Sequence, residues 1–293
     1  MEKGKAVHER MRDEMSNWRF IHTGDRSPAE NMALDEAILT AHSEGKVPPT
    51  VRFYGWNPAT LSIGYFQKAA EVDQEAVARE GIGFVRRPTG GRAVLHDKEL
   101  TYSIIVAEDY PGIPRNVTEA YRVLSEGLLQ GFRALGLAAE MVQLASDEEK
   151  EKYASAGSAA CFDSPSWYEL VVEGRKVAGS AQVRQKNVVL QHGSILLDMD
   201  TDQLFRMLRF SNEKVADRMK QSFLKKAVAI NELLRAQGKA EVMLREVEGA
   251  FRREIAKGLG VELVESSLTD YEIELTERLV AEKYGTDEWN LRR

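Results

Sequence analysis

The spacing of hydrophobic residues changes along the chain, from mainly strand-like before residue 200 to mainly helical after it. Period-two alternation and short apolar runs predict strands over residues 18–22, 51–56, 60–66, 167–174, 176–185 and 188–198. The segment 84–107 predicts a strand, a glycine-rich turn, a short strand and a longer strand that ends at Ala107. The middle of the chain is therefore expected to form sheets.

Helical spacing appears in several places, and its first occurrence has a clear start signal. Ser27 followed by Pro28 predicts an N-cap and the first helical residue, and the helix then carries an apolar stripe that includes Met32 and Ile38. Further helices are predicted over 72–80, 117–135, 201–210, 226–238, 241–260 and 269–285. Mixed strands and helices in this order predict an α+β fold of mixed β-sheets flanked by helices.

Composition narrows the class of protein. The chain of 293 residues is 43% hydrophobic and 29% charged, which is typical of a globular protein with a sizeable core. Its net charge of −6 leaves no basic footprint for nucleic acid, and no apolar run is long enough to span a bilayer. The charged N-terminus lacks the apolar core of a signal peptide, and a single cysteine forms no internal disulfide. We therefore expect a cytoplasmic protein that contacts neither membrane nor nucleic acid.

The single cysteine, Cys161, lies in a polar segment of small residues that precedes a strand, a tight Glu-Gly-Arg turn and Lys176. A thiolate attacks acyl groups well, and a nearby ammonium lowers a thiol pKa by favouring the charged form. A lone cysteine is more often a small buried hydrophobic residue, and composition alone favours that interpretation. The residues on either side of Cys161 are typical of a loop, and residues 146–160 are predicted to form a mobile loop. Because catalytic groups often lie on loops, this setting favours covalent acyl chemistry at Cys161.

Two further groups of residues are candidates for ligand binding. Arg87, Gly90, Gly91 and His96 belong to the segment RRPTGGRAVLHD, in which glycines let the backbone approach a ligand and arginine suits an anionic or carbonyl group. The second group consists of Ser180, Gln182, His192 and Gly193, on two predicted strands. Each group also has a simpler interpretation without a ligand. The first group could be a solvated hairpin, and His192 of the second group could be a hydrogen-bonded core residue. The five histidines show no zinc-site spacing, and we expect neither a metal nor a cofactor.

Three motifs in order, RRPTGGRAVLHD, GRKVAGSAQVRQ and LQHGSILLD, resemble the lipoate-protein ligase and octanoyltransferase family, which is related to biotin ligases. The resemblance extends from about Trp18 to the DEWN segment at 287–290, and it implies the biotin/lipoate protein ligase catalytic-domain fold. Residues 1–16 are predicted to form a charged tail, followed by a catalytic domain over 17–265 and a C-terminal helix over 266–293 that packs on the same domain. We expect a monomer.

The segment SAACFDSPSWYEL, with a lysine fifteen positions after its cysteine, resembles one branch of that family. This branch transfers octanoate from acyl carrier protein to the glycine cleavage H protein or another lipoyl domain. The resemblance implies that Cys161 carries the acyl-thioester and that Lys176 lowers the thiol pKa. It also implies that Arg87, Gly90 and Gly91 line the acyl pocket, in a step of protein lipoylation without ATP.

Three alternatives remain open at the level of sequence. An ATP-dependent lipoate-protein ligase would use Lys176 to contact an acyl-adenylate, and Cys161 would then be incidental. A lipoyl amidotransferase between H protein and other lipoyl domains would use the same Cys–Lys pair. A protein that only binds an acyl carrier or a lipoyl domain would turn nothing over.

Overall fold

A six-stranded mixed sheet lies at the centre of the computed structural model, which describes residues 17–143 and 168–293. Cys161, the tail 1–16 and the segment 146–160 lie outside these described residues. Within the described residues the strands are β1 Asn17–Arg26, β2 Thr50–Trp56, β3 Thr60–Ile63, β4 Gly83–Arg86, β5 Val94–His96, β6 Glu99–Ala107, β7 Ala139–Gln143, β8 Tyr168–Val172, β9 Arg175–Lys176, β10 Ala178–Gln185, β11 Val188–Leu196 and β12 Glu262–Glu265. The α-helices of the same residues are α1 Pro28–Ser43, α2 Gln74–Arg79, α3 Val117–Ala134, α4 Thr201–Arg206, α5 Glu213–Lys226, α6 Ile230–Ala236, α7 Leu244–Leu259, α8 Asp270–Leu279 and α9 Asp287–Asn290.

Three sheets form the β-structure of the described chain. The central sheet has the order β10-β11-β6-β2-β1-β12, in which β1 runs parallel to β2 and β12, and the remaining pairs are antiparallel. One small sheet has the order β4-β3-β5 and the other the order β7-β8-β9. The predicted mixed sheets are thus present, and helices cover both faces of the central one.

The two faces of the central sheet pack against different helices. Ile38 and Leu39 of α1 form one buried cluster with Ile105 of β6 and with Val188 and Leu190 of β11. The opposite face contributes to the largest cluster, which also contains apolar residues of α3 and α7. Because side chains alternate along a strand, one sheet can present two separate apolar surfaces in this way. The α1 face is the one that also carries the polar residues of the candidate site.

Close packing of α3 against α7 depends on two glycines. A Cβ at Gly127 would lie 2.4 Å from Ile255 Cα, and a Cβ at Gly258 would lie 2.7 Å from Gly127 Cα. Side chains at these positions would force the helices apart. The contact closes the core on the face opposite α1.

Local signals predicted the start of α1 correctly. The Ser27 hydroxyl accepts from the Glu30 backbone N–H at 3.3 Å, and the Ser27 N–H donates to Glu30 Oε2 at 3.0 Å. This reciprocal pair is a capping box, which satisfies backbone donors that the helix leaves unpaired. The same arrangement joins Thr269 and Glu272 at the start of α8.

The predicted strand 176–185 is wrong in one respect, because it is two strands in two sheets. Arg175–Lys176 pairs with β8, whereas Ala178–Gln185 pairs with β11 in the central sheet. The predicted tight turn before it is confirmed, since Glu173 and Gly174 both have positive φ angles, of 52° and 74°. Lys176 therefore lies where the chain passes from the small sheet into the central one.

The C-terminal third departs from its predicted helices in two places. The helix predicted over 201–210 ends at Arg206, and the chain then forms α5, which was not predicted. Strand β12 was also missed, although it pairs in parallel with β1. Beyond it, α8 packs against α1, and Arg19 donates to the buried carboxylate of Glu272 at 3.2 Å. Every helix in the described ranges is too short or too polar to cross a lipid bilayer.

Candidate active site

A cavity lies between the central sheet, α1 and the β4-β3-β5 sheet. Five predicted site residues line it, namely Arg87, His96, Ser180, His192 and Gly193. The other lining residues are Met32, Tyr54, Trp56, Ser62, Val94, Thr101, Gly179, Ala181 and Ser194. Its walls combine apolar side chains with a few polar groups, as the walls of small-molecule sites do.

The Asp35 carboxylate organises the polar groups below the cavity. It accepts from Arg52 Nη1 at 2.8 Å, from the Tyr54 hydroxyl at 3.0 Å and from the Ser103 hydroxyl at 2.9 Å. The Asp35 and Arg52 side chains are fully buried. Burial alone would raise the pKa of Asp35, but the Arg52 charge and the His192 hydrogen bond outweigh it and hold that pKa below its ordinary value. The site is therefore built on a buried carboxylate that remains ionised.

His192 connects Asp35 to the glycine-rich loop. Its Nδ1 lies 3.2 Å from Asp35 Oδ2, and its Nε2 lies 2.7 Å from the Thr89 hydroxyl. Burial lowers the pKa of His192 and so favours the neutral ring. Because ionised Asp35 can only accept, Nδ1 carries the proton, and Nε2 accepts from Thr89. The ring thus fixes the residue that precedes Gly90.

A second chain of hydrogen bonds contains His96. Its Nε2 lies 2.8 Å from the Ser62 hydroxyl, and its Nδ1 lies 2.8 Å from Glu99 Oε1. The Trp56 ring stacks on the imidazole with 4.3 Å between ring centres, and its Nε1 donates to Glu99 Oε1 at 3.1 Å. His96 is therefore a fixed wall of the cavity with both ring nitrogens engaged.

Arg87 lines the cavity and also holds the glycine-rich loop in place through its guanidinium. Its Nη2 donates to the carbonyl oxygens of Gly90 at 2.9 Å and Arg92 at 2.7 Å, and its Nη1 donates to the Ser62 hydroxyl at 3.1 Å. The neighbouring Arg86 is fully buried, and its Nη1 donates to the Gln67 carbonyl at 2.6 Å. Burial, with the nearby arginines, lowers the pKa of Arg86 to about 10. Both arginines thus bind backbone carbonyls of this chain.

The two glycines of the loop serve different purposes. Gly91 has a φ of 96°, a conformation that side chains disfavour. Gly90 does not have a positive φ, and a Cβ built on it would meet nothing within 4 Å. Gly64 packs directly against the loop, since a Cβ built on it would lie 2.0 Å from the Gly91 carbonyl oxygen. Neither the φ angle nor close packing by the described residues therefore accounts for a glycine at position 90, which borders open space.

The predicted residues of β10 and β11 separate onto different faces of the sheet. Ser180 pairs with Gly193, and a Cβ at Gly193 would lie 2.5 Å from the Gly179 carbonyl oxygen. The close approach of the two strands therefore leaves no room for a side chain at position 193. Gln182 does not line the cavity; its amide donates to Gln191 Oε1 at 3.2 Å on the α3 side of the sheet. His192, one position before Gly193, faces Asp35 on the α1 side.

Lys176 is buried, and its ammonium lies 2.9 Å from Glu169 Oε2 of β8. The Glu169 side chain is only 3% exposed. Val177 follows within the core, and Gly179, three positions after Lys176, is the first residue of β10 that lines the cavity. Cys161, the other predicted catalytic residue, lies outside the described residues.

Sequence reasoning missed the acidic partners in the site and the hydroxyl groups of Ser62, Thr89 and Ser103. One signal was available for Asp35, because it lies three positions from both Met32 and Ile38, within the apolar stripe of α1. A carboxylate on a core-facing stripe is expected to have a buried partner. Glu169, Ser62 and Glu99 gave no comparable signal. Among the described residues, no group of three His, Cys, Asp or Glu side chains is arranged to hold a metal ion.

Comparison with known proteins identifies relatives that match nearly all of this chain. Residues 27–255 match the family described as the lipoyl protein ligase A/B catalytic domain. The octanoyltransferase LipM of Brevibacillus brevis is 65% identical over 280 residues, which cover 95% of this chain and 100% of that protein. The octanoyltransferase LipM of Bacillus subtilis is 56% identical, over 94% of this chain and 98% of that protein.

Solved structures give a consistent picture of the fold. A bipartite lipoate protein ligase from Thermoplasma acidophilum superimposes with a TM-score of 0.77 and 26% identity, over 94% of this chain and 96% of that one. A lipoate-protein ligase A bound with ATP superimposes with a TM-score of 0.72 and 26% identity, over 94% and 98% of the two chains.

Proposed function

The chain belongs to the lipoyl protein ligase A/B catalytic-domain family, and from that premise we propose that it is an octanoyltransferase. The donor is octanoyl-acyl carrier protein, and the acceptor is the ε-amine of a lysine on a lipoyl domain such as the glycine cleavage H protein. The observation that carries the proposal is the identity of 52–65% to proteins named octanoyltransferase, over at least 94% of this chain. The cytoplasm is the proposed location.

The first step forms an acyl-enzyme. The Cys161 thiolate attacks the carbonyl carbon of the donor thioester, a new carbon–sulfur bond forms, and the carrier's sulfur leaves as a thiolate that takes up a proton. One thioester replaces another, so the step needs no ATP. Lys176 would lower the thiol pKa, because an ammonium favours the charged form of a neighbouring acid.

The second step forms the amide. The neutral amine of the acceptor lysine attacks the same carbonyl carbon, and the Cys161 thiolate leaves as the carbon–nitrogen bond is completed. The amine loses its extra proton, and the enzyme returns to its starting state. An amide is more stable than a thioester, which makes this step favourable.

The octanoyl chain would lie in the cavity, whose lining includes Gly179 on the strand that follows Lys176. Its walls also include the apolar side chains of Met32, Trp56 and Val94. Each buried methylene would contribute about 0.8 kcal/mol of binding free energy. Gly90 and Gly91, which were also predicted to line the acyl pocket, are not among the residues that line this cavity, and the open space beside Gly90 is a separate place where the donor could be contacted. The hydrogen bonds from Thr89 and Arg87 would keep the loop in position when the chain enters.

Trapping the intermediate tests this proposal. The full chain is incubated with octanoyl-acyl carrier protein, without ATP, and its intact mass is recorded before and after addition of a lipoyl domain. We expect one octanoyl adduct, lost when the acceptor is added, and no adduct on Cys161→Ala. A Cys161→Ala variant that transfers at the native rate would overturn the mechanism.

The choice of donor separates the remaining alternatives. A ligase would transfer free octanoate or lipoate only with ATP, so a second reaction contains octanoate and ATP in place of the carrier. A third reaction offers octanoyl-H protein as donor to another lipoyl domain, which is the amidotransferase reaction. We expect the carrier-bound donor to be used with the highest kcat/KM of the three.

A further inference from the structure

Helix α5 is basic in a chain whose net charge is negative. The helix contains five basic and two acidic residues, whereas the whole chain has 40 basic and 46 acidic residues. Only Met219 and Phe223 of this helix are buried, and both belong to the cluster that includes Leu204 and Phe205 of α4. The remainder of α5 is available to carry charge on the outer surface of the protein.

Three of these basic residues form a stripe. Lys214, Arg218 and Lys225 are exposed and lie four and seven positions apart, a spacing that places them on one side of a helix. Met219 and Phe223 lie on the opposite side, which anchors the helix with the stripe facing outward. We call Lys214, Arg218 and Lys225 the basic stripe.

The basic stripe has no ion-pair partner within the described parts of the chain. Lys220 of the same helix forms an ion pair with Asp202 of α4. No carboxylate oxygen of the described residues lies within 4.0 Å of the charged nitrogens of the three stripe residues. Glu213 and Asp217 of the same helix form no ion pair with these residues, and three unpaired cations in a line along about 16 Å of helix favour an acidic partner.

The stripe starts beside Lys176 and runs away from it. Helix α5 ends at Lys226, the next residue Ala227 bridges to Lys176, and the Val228 N–H donates to the Lys176 carbonyl at 3.0 Å. At 1.5 Å per residue, Lys214 lies about 18 Å farther along the helix axis than Lys226. A partner bound along the stripe would thus have one end near the proposed catalytic lysine and its body well removed from it.

We propose that the basic stripe of α5 docks the acidic face of the carrier domain that delivers the acyl group. This inference rests on the proposed octanoyl transfer. The distance favours the donor over the acceptor, because a carrier presents its thioester on a long flexible arm, which can bridge the gap between a remote docking surface and the thiol. An acceptor lysine side chain is short, so the lipoyl domain has to meet the protein directly at the reacting thioester.

The test reverses the charge of the stripe and compares two donors. The full-length variant K214E/R218E/K225E is assayed with octanoyl-acyl carrier protein and with octanoyl-pantetheine, each with the same lipoyl domain. We expect KM for the carrier-bound donor to rise roughly tenfold or more, since like charges then face each other, and KM for octanoyl-pantetheine to change less than about twofold. In the wild type, added salt should weaken only the reaction with the carrier-bound donor.

A matched control changes the same amount of charge elsewhere. R245E/R253E/K257E places three reversals at exposed positions of α7 and should leave both donors unaffected. Equal losses with both donors, an unchanged KM for the carrier, or a raised KM for the lipoyl domain alone would each overturn the proposal. Calorimetry measures binding of the carrier protein without turnover and so tests the stripe separately from catalysis. A wild-type protein that binds the carrier but transfers no octanoyl group would contradict the proposed function alone.

Discussion

Lys176 Nζ lies 2.9 Å from Glu169 Oε2, and both side chains are buried where the small β7-β8-β9 sheet meets the central sheet. An ammonium that lowers the pKa of a thiol acts through its charge, and a carboxylate at this distance offsets part of that charge. The extent to which Lys176 lowers the thiol pKa in the proposed mechanism should therefore depend on Glu169 of β8.

Replacing Lys176 should make the thiol less acidic. In Lys176→Ala the positive charge is absent, so the pH at which iodoacetamide alkylates Cys161 should move upward, and octanoyl transfer at neutral pH should fall. Lys68→Ala, at an exposed position, serves as the control and should keep the wild-type alkylation profile. An unchanged profile in Lys176→Ala would remove this lysine from the proposed role.

Replacing Glu169 should have the opposite effect on the thiol. Glu169→Gln removes the negative charge and leaves the ammonium in place, so the pH of alkylation should move downward while the variant unfolds at a lower temperature than the wild type. The double variant Glu169→Gln, Lys176→Ala should alkylate like Lys176→Ala. An upward shift in Glu169→Gln would show that the carboxylate is needed mainly to hold the lysine in position.

Two glycine substitutions should separate packing from ligand binding. Gly64→Ala places a Cβ 2.0 Å from the Gly91 carbonyl oxygen and should lower the free energy of unfolding by about 1–3 kcal/mol. Gly90→Ala meets no atom and should change it by less than about 0.5 kcal/mol, yet raise KM for the octanoyl donor. Urea unfolding and steady-state kinetics measure the two effects. A wild-type KM in Gly90→Ala would mean that the space at this glycine is not used by the donor.

The buried charge of Asp35 should be costly to remove. Asp35→Asn leaves Arg52 fully buried without its carboxylate and should lower the free energy of unfolding by roughly 3–5 kcal/mol. Asp109→Asn, at an exposed position, should change it by less than about 0.5 kcal/mol. A loss below 1 kcal/mol in Asp35→Asn would contradict the role of this carboxylate as the centre of the polar network.

His192 should make the protein sensitive to mild acid. Burial lowers its pKa below the unfolded value of 6.5, so the unfolded state binds more protons in the window between the two values, and stability falls as the pH drops below about 6.5. Thermal unfolding between pH 7.5 and 5 should therefore show a smaller loss in His192→Gln than in the wild type. His42, whose pKa burial also lowers, leaves a residual acid dependence in the variant. Equal losses in both proteins would contradict this assignment.

Elements with strong local signals were predicted well from the sequence. The cap at Ser27 and the turn at Glu173-Gly174 depend on residues adjacent in the chain, and both predictions are confirmed. Strand β12 was missed because Glu262–Glu265 is mostly exposed and pairs with β1, more than 240 residues away. The split at Val177 was missed for the same physical reason, since two distant strands decide which sheet each half joins.

The candidate site divides in a similar way. Motifs that resemble a known family indicated Lys176, Arg87 and His192, and the predicted family and fold are confirmed by the comparisons. Spacing alone gave no indication that Arg87 would bind the loop's own carbonyl groups. The sequence also gave no indication of Glu169, because its ion pair with Lys176 forms between two strands that are joined by a turn. Roles that depend on a partner in space need the folded chain to be recognised.

The passage of the chain through Val177 sets a fixed length. This residue is fully buried, its N–H donates to the Leu170 carbonyl at 3.0 Å, and it joins Lys176 to Gly179 through about 10 Å of extended backbone. The proposed catalytic lysine is therefore held at a fixed distance from Gly179, the first residue of β10 that lines the cavity. An enzyme engineered for longer or shorter acyl chains would keep this spacing unchanged and would be altered at cavity walls on other elements, such as the stacked pair Trp56 and His96.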